Sequence, residues 1–386
     1  MSLRQLCAVA LLLSAGALAG ARAGAAPPAA PEAAGAPGSA GAPGFAGVPG
    51  PAGVQGTAAL VDGVAKRWFK AQWSTYRARF VSGDGRVVDN ANGGVSHSEG
   101  QGYGLLLAAT AEDQDGFALV WGWTKQHLQV RGDALFAWKW DPKRQAVADR
   151  NTASDGDILI AWALAKAAQR FGRADYGDAA RRIVEGVKAA AVRPSRFGPV
   201  LMPGATGFGA GEQPDGPVVN LSYWVFPALS DFDALYPGQG WDALRRNGLK
   251  LLDASRFGPS GLPVDWVALG GGKPAPARNF KPTFGYDAIR IPLYLAWDRD
   301  APAEALARFA EIPAAAAPHV VEVVSGTVGQ EMGGAGYRTV LALARCAARR
   351  DTIPPELMMT PDALYYPETL RLLSLSVVQD RFPSCL

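Results

Sequence analysis

Cysteine and histidine are both scarce, with three of each in 386 residues. Cys7 falls in a leading apolar stretch, so only Cys346 and Cys385 are left, enough for one optional bridge. Zinc sites need Cys and His at short, clustered spacings, and His97, His127 and His319 are far apart. His97-Ser98-Glu99 matches the His-x-Glu of zinc deaminases, but no Pro-Cys-x-x-Cys follows. The chemistry expected here uses no metal and no cofactor. Charge of one sign is also lacking: the formal net charge is +3, which does not point to nucleic acid or an anionic membrane as partner. Hydrophobic residues make up 48%, enough to exclude a disordered chain.

Long apolar runs are confined to the start. Arg4 precedes an apolar run from Leu6 to Leu18, and Ala21-Arg22-Ala23 fits a small-x-small cleavage pattern. Residues 1–23 read as a secretory signal peptide, with an uncleaved anchor as the alternative. Residues 24–56 are nearly all Ala, Gly and Pro and read as a tether, because such a stretch buries too little surface to offset its ordering entropy. Residues 57–386 form a single domain on this reading, placed in the periplasm or outside the cell.

What is present is mostly helical periodicity. Val61, Ala65, Trp68 and Phe69 share a face, and Ile158, Ala161, Trp162 and Ala165 form another stripe. The patterns predict helices near 98–111, 116–128, 154–171, 176–191, 220–235, 240–254, 285–298, 302–311, 335–349 and 361–378. Ser98 with Gln101, and Ser154 with Asp157, have the spacing of capping boxes. Alternating strands are scarce.

Three acids stand at helix starts: Glu99, Asp155 and Asp287. Capping alone would explain each, since carboxylates offset the positive end of a helix. Their neighbours argue for more. Gly-rich turns flank all three, and Tyr103, Trp162 and Tyr286 stand nearby, with Trp138 and Trp140 adding two indoles. Carboxylates, aromatic platforms and no metal suit glycoside hydrolysis, in which one acid protonates the leaving oxygen and another activates water or attacks carbon.

Ser98-Glu99-Gly100-Gln101-Gly102-Tyr103, Ala137-Trp138-Lys139-Trp140, Asn151 to Asp157 and Tyr286-Asp287-Ala288-Ile289-Arg290 occur in that order. Together with Leu201-Met202-Pro203-Gly204 and Val264-Asp265-Trp266-Val267 they resemble glycoside hydrolase family 8. Within it, the likeness is to periplasmic endoglucanases associated with bacterial cellulose synthase. The resemblance implies an all-α (α/α)6 barrel of six inner and six outer helices, and an inverting endo-1,4-β-glucanase acting on a β-1,4-glucan chain. It implies Glu99 as general acid, Asp287 as general base and Asp155 as the acid holding the sugar in the cleavage subsite. Tyr103, Trp138, Tyr223, Tyr286 and Arg290 are the implied substrate-binding residues, with Trp138 stacking on a glucose ring, Tyr223 positioning water and Arg290 orienting Asp287. A helix start favours an ionised carboxylate, which is wrong for an acid, so Glu99 needs desolvation or a nearby anion, for which Asp155 is the candidate. The alternatives are a chitosanase or xylanase on the same fold, or a catalytically silent glucan-binding component of a cellulose export complex. Residues 301–338 do not register with the resemblance.

Overall fold

The computed structural model describes residues 52–313 and 316–386, so the stretch read as a signal peptide and the stretch read as a tether, up to residue 51, lie outside the described residues. The chain forms twelve α-helices among these residues: α1 (Ala52–Phe80), α2 (Ser98–Thr110), α3 (Gln114–His127), α4 (Ser154–Phe171), α5 (Ala174–Ala191), α6 (Phe226–Leu235), α7 (Trp241–Ala254), α8 (Ile291–Trp297), α9 (Ala307–Ala310), α10 (Ala335–Arg349), α11 (Pro355–Met359) and α12 (Tyr365–Arg381). The helix α1 already includes residues 52–56, which the composition assigns to the tether.

The even-numbered helices pack in sequence, α2 on α4, α4 on α6, α6 on α8, α8 on α10 and α10 on α12, and α12 returns to α2 to close the ring. The odd-numbered helices pack outside them, α3 on α2, α5 on α4 and α7 on α6. This is the (α/α)6 barrel. The two rings differ in sequence for a physical reason. An inner helix touches protein on all sides and is buried nearly all round, as α2 is from Ser98 to Ala109 apart from Glu99. An outer helix buries one stripe only, as α5 does with Tyr176, Ala180, Ile183, Val184 and Val187.

The connections are asymmetric. Links from inner to outer helices are mostly short, such as 172–173 between α4 and α5. Links from outer to inner helices are long apart from 360–364, such as 192–225 and 255–290, and the long ones hold every strand among the described residues. Four small sheets result, of two or three strands each. In one, Ser96–His97 pairs with Lys139–Asp141, and in another Thr283–Phe284 pairs with His319–Glu322. These strands are two to five residues long and escape a periodicity reading. Residues 301–338, unregistered from sequence, hold a 3₁₀ turn, α9 and the hairpin 319–331. Because the long links all enter inner helices at their N-terminal ends, they build one crowded face of the barrel.

Three expected helices are broken, one of them 302–311, which divides into the 3₁₀ turn Ala303–Leu306 and α9. Residues 220–235 divide into a 3₁₀ turn, Leu221–Tyr223, and α6, because the Asn220 side chain accepts from the Ser222 N–H and Pro227 opens a new helix. Residues 285–298 likewise divide into Ala288–Arg290 and α8. The expected capping boxes are absent: neither α2 nor α4 has a side-chain cap. Gln101 instead accepts from Val87 N–H, Ser154 donates to the Met202 carbonyl and Asp157 accepts from Phe136 N–H. Tertiary partners in the long links outcompete the local capping bonds.

Candidate active site

The N-terminal ends of α2, α4 and the 288–297 helical segment converge on the crowded face, and each carries one of the three acids. Glu99 is the second residue of α2, Asp155 the second of α4, and Asp287 immediately precedes the 3₁₀ turn that leads into α8. The approach of α2 to α4 is close: a Cβ on Gly156 would lie 2.2 Å from Ser98 Oγ and 2.7 Å from the Glu99 nitrogen. Only glycine lets the two helix starts meet.

Arg290 binds all three acids. Its guanidinium reaches Glu99 Oε2, Asp155 Oδ2 and Asp287 Oδ1, each at 2.9 Å. It also donates to Ser222 Oγ at 2.7 Å. Ser222 in turn donates to Asn220 Oδ1 at 2.7 Å, and Asn220 Nδ2 donates to Asp287 Oδ2 at 3.0 Å. Arg290 and Asp155 are each 1% exposed, whereas Glu99 is 25% and Asp287 28% exposed. Two carboxyl groups are therefore partly open to solvent at the crowded face, and a third lies beneath them with its oxygens on Arg290 and the Gly156 N–H. One planar guanidinium spanning Glu99 and Asp287 limits the separation of the bridged oxygens to roughly 8 Å, a bound that admits the lower part of the ~6.5–9.5 Å range of inverting pairs and also the ~5–5.5 Å of retaining ones.

The charge balance sets the protonation. Burial pushes the Glu99 carboxyl up to about 7; Arg290 pulls against this, and Asp155 and Asp287 add to it. Burial likewise raises Asp155, with Arg290 opposing. Burial lowers a guanidinium, yet Glu99 and the surrounding hydroxyl and carboxyl groups hold Arg290 well above its ordinary range, so it stays charged.

The expected sugar contacts divide. Trp138 is partly exposed beside the start of α2: its carbonyl accepts from Ser98 N–H and its indole donates to Asp149 at 3.0 Å. His97 stacks against that indole, and burial with Lys139 nearby pushes the imidazole down to about 4. Tyr223 is partly exposed with the Arg290 guanidinium 5.5 Å from its ring centre, and Tyr286 is partly exposed with Gln330 donating to its hydroxyl at 3.0 Å. Tyr103 does not face the cleft. It is fully buried, its hydroxyl pairs with Tyr294 at 2.6 Å and it hydrogen-bonds Glu99 from behind, because α2 is an inner helix with protein on every side. Trp162 is also buried, with its indole on Asp231. Arg290, grouped with the substrate-binding residues and expected to orient Asp287, is sealed under the acids, away from any sugar, and does contact Asp287 Oδ1.

Four residues with no role assigned from sequence join the site: Asn220, Ser222, Asp265 and Tyr294. Asp265 lies inside a segment that carries the family resemblance, so its presence was visible and its partners were not. Asp265 accepts from the N–H groups of Gly285 and Ala288, on either side of Asp287.

A closed double ring of helices with two partly exposed carboxyl groups beside a shared guanidinium has the features of a class: glycoside hydrolases of (α/α)6 architecture. Comparison with known proteins narrows it. A family model described as "Glycosyl hydrolases family 8" matches residues 55–380. The chain belongs to this family. It is 40% identical over 312 residues, 78% of this chain and 88% of the relative, to a probable endoglucanase of Novacetimonas hansenii. Among solved structures, endoglucanase Cel10 of Klebsiella pneumoniae is 34% identical with a TM-score of 0.74, covering 81% of this chain and 99% of that one. The endo-β-1,4-glucanase CMCax of Acetobacter xylinum is 36% identical with a TM-score of 0.73, covering 81% and 98%.

Proposed function

We propose that this glycoside hydrolase is an endo-1,4-β-glucanase that cuts internal bonds of an unbranched glucan with inversion, using Glu99 as general acid and Asp287 as general base. The observation that carries the reading is the pair itself: the two cleft-facing carboxyl groups sit on one buried guanidinium in different environments. With its carboxyl pushed up to about 7, Glu99 keeps a proton at mildly acidic pH and delivers it to the glycosidic oxygen as the C1–O bond breaks. Asp287 has both oxygens held by donors, Arg290 and Asn220, and accepts the proton of the water that attacks C1 from the opposite face. The proton given up by Glu99 leaves a carboxylate beside Arg290, which stabilises it. Asp155 serves the cleavage subsite through Arg290 and through its own negative charge, and no enzyme nucleophile is needed for a single displacement. Trp138, Tyr223 and Tyr286 line the sugar subsites.

Relatives named as endoglucanases support the substrate. The leading apolar run and the Cys346–Cys385 disulfide support export to an oxidising compartment, periplasmic or extracellular. No helix among the described residues is long and apolar enough to cross a membrane. The resemblance that the sequence motifs carry, to periplasmic endoglucanases associated with bacterial cellulose synthase, supports a role alongside bacterial cellulose synthesis.

Proton NMR of a soluble cello-oligosaccharide during digestion tests bond, substrate and stereochemistry together. The first-formed reducing ends are expected in the α configuration; β ends would refute inversion. Glu99→Gln is expected to reduce the viscosity loss of carboxymethylcellulose by ~10³-fold or more, and equal loss with both proteins would instead favour a silent binding component.

A further inference from the structure

Asp265 lies outside the carboxylate–guanidinium cluster, yet it grips the segment that carries Asp287. Its Oδ1 accepts from Gly285 N–H at 3.1 Å and from Ala288 N–H at 2.8 Å, so one oxygen clasps the chain on both sides of Asp287. Thr283 Oγ1 donates to Oδ2 at 3.3 Å, and the Asp265 N–H donates to the Thr283 carbonyl at 2.8 Å. The fit is tight, since a Cβ on Gly285 would lie 2.7 Å from Asp265 Oδ2. The other side of Asp265 is anchored. Trp266 stacks between Phe208 and Phe280, at 5.5 Å with an interplanar angle of 4° and at 4.5 Å with 20°. Val267–Ala268 pairs with Val218–Val219, just before Asn220. The same strand pair thus leads to both groups that hold Asp287: Asn220 takes its carboxylate and Asp265 takes its backbone.

We infer that Asp265 is a positioning residue for the proposed base, fixing the backbone of Asp287 so that its carboxylate meets the attacking water. It touches neither sugar nor water in this role and acts through the two N–H groups. The inference rests on the assignment of Asp287 as base. Burial, with Asp287 adding to it, pushes the Asp265 carboxyl up to about 7, in keeping with a group that serves as a hydrogen-bond acceptor whether or not it is ionised.

The test is steady-state kinetics on a soluble cello-oligosaccharide with the full chain carrying Asp265→Ala, Asp265→Asn, Gly285→Ala and Asp287→Ala in turn. Asp265→Ala is expected to lower kcat by ~10²-fold with KM changed less than about threefold, because a displaced catalytic group costs rate rather than binding. Asp265→Asn keeps an acceptor at Oδ1 and is expected to recover most of the loss. Gly285→Ala pushes the carboxylate away and is expected to lower kcat in the same sense; it supplies the readout if Asp265→Ala does not fold. Wild-type kcat in Asp265→Ala, a loss confined to KM, or no recovery with Asn would each overturn the inference. An active Asp287→Ala would remove the base assignment itself, whereas an inactive one beside a fully active Asp265→Ala would remove only the role of Asp265.

Discussion

Arg290 brings one positive charge to three carboxyl groups in a site mostly shut off from water. With all three ionised the cluster would carry excess negative charge, and a proton on one of them relieves it. Glu99 is the member pushed up to about 7, so it takes that proton. Activity that needs protonated Glu99 is expected to fall as pH rises through about 7, giving the alkaline limb of the rate profile. Asp155 is one of the anions raising Glu99, so Asp155→Asn lets Glu99 lose its proton sooner. The alkaline limb of kcat/KM is then expected to move to lower pH, with kcat reduced by ~10²-fold because Arg290 also loses its buried partner. A pH–rate profile of the variant with an unmoved alkaline limb would rule the coupling out.

Among the elements, the helix starts are the working parts, and their spacing depends on small residues. Gly156 sits where α4 meets α2, and a methyl group there would intrude on Ser98 Oγ and the Glu99 backbone. Gly156→Ala is expected to cost about 1–3 kcal/mol of stability and to lower kcat, since relief of the clash moves Glu99 relative to Asp287. Thermal melting and kcat on one preparation check both effects, and adding Ser98→Ala is expected to restore part of each. Sequence periodicity located eleven of the helices, all but α11, because their apolar spacing is local information. The short strands and the partners of Gln101, Ser154 and Asp157 were not legible, because what competes with a capping bond is a backbone group from a distant link.

For the whole molecule, the barrel separates stability from chemistry. The long links and the acids occupy the face at the inner helix starts, while Cys346 lies near the far end of α10 and pairs with Cys385 across a separation of 39 residues. Closing a loop of that length is worth about 4 kcal/mol in the chain-entropy account. Cys385→Ser is expected to lower Tm by about 6 °C, given the entropy of unfolding of a domain this large, and to leave kcat at moderate temperature unchanged. Calorimetry with an activity assay reads both, and a loss of kcat without a fall in Tm would contradict this division.

The amino-acid sequence by itself determined the helical class, the order of most of the helices and three acids at helix starts as candidates. Periodicity follows from which faces are buried, and short motifs retain their residues in order. Only the tertiary structure decided which side chains face the cleft. Tyr103 looks like a ligand for sugar in a linear reading, yet it is fully buried, and Arg290, expected to orient Asp287, is buried on all three acids at once. The structure also decided that Cys346 meets Cys385 and that Asp265 clasps the Asp287 backbone. Each is a contact between residues far apart along the chain, and such contacts depend on how the rings close rather than on any local pattern.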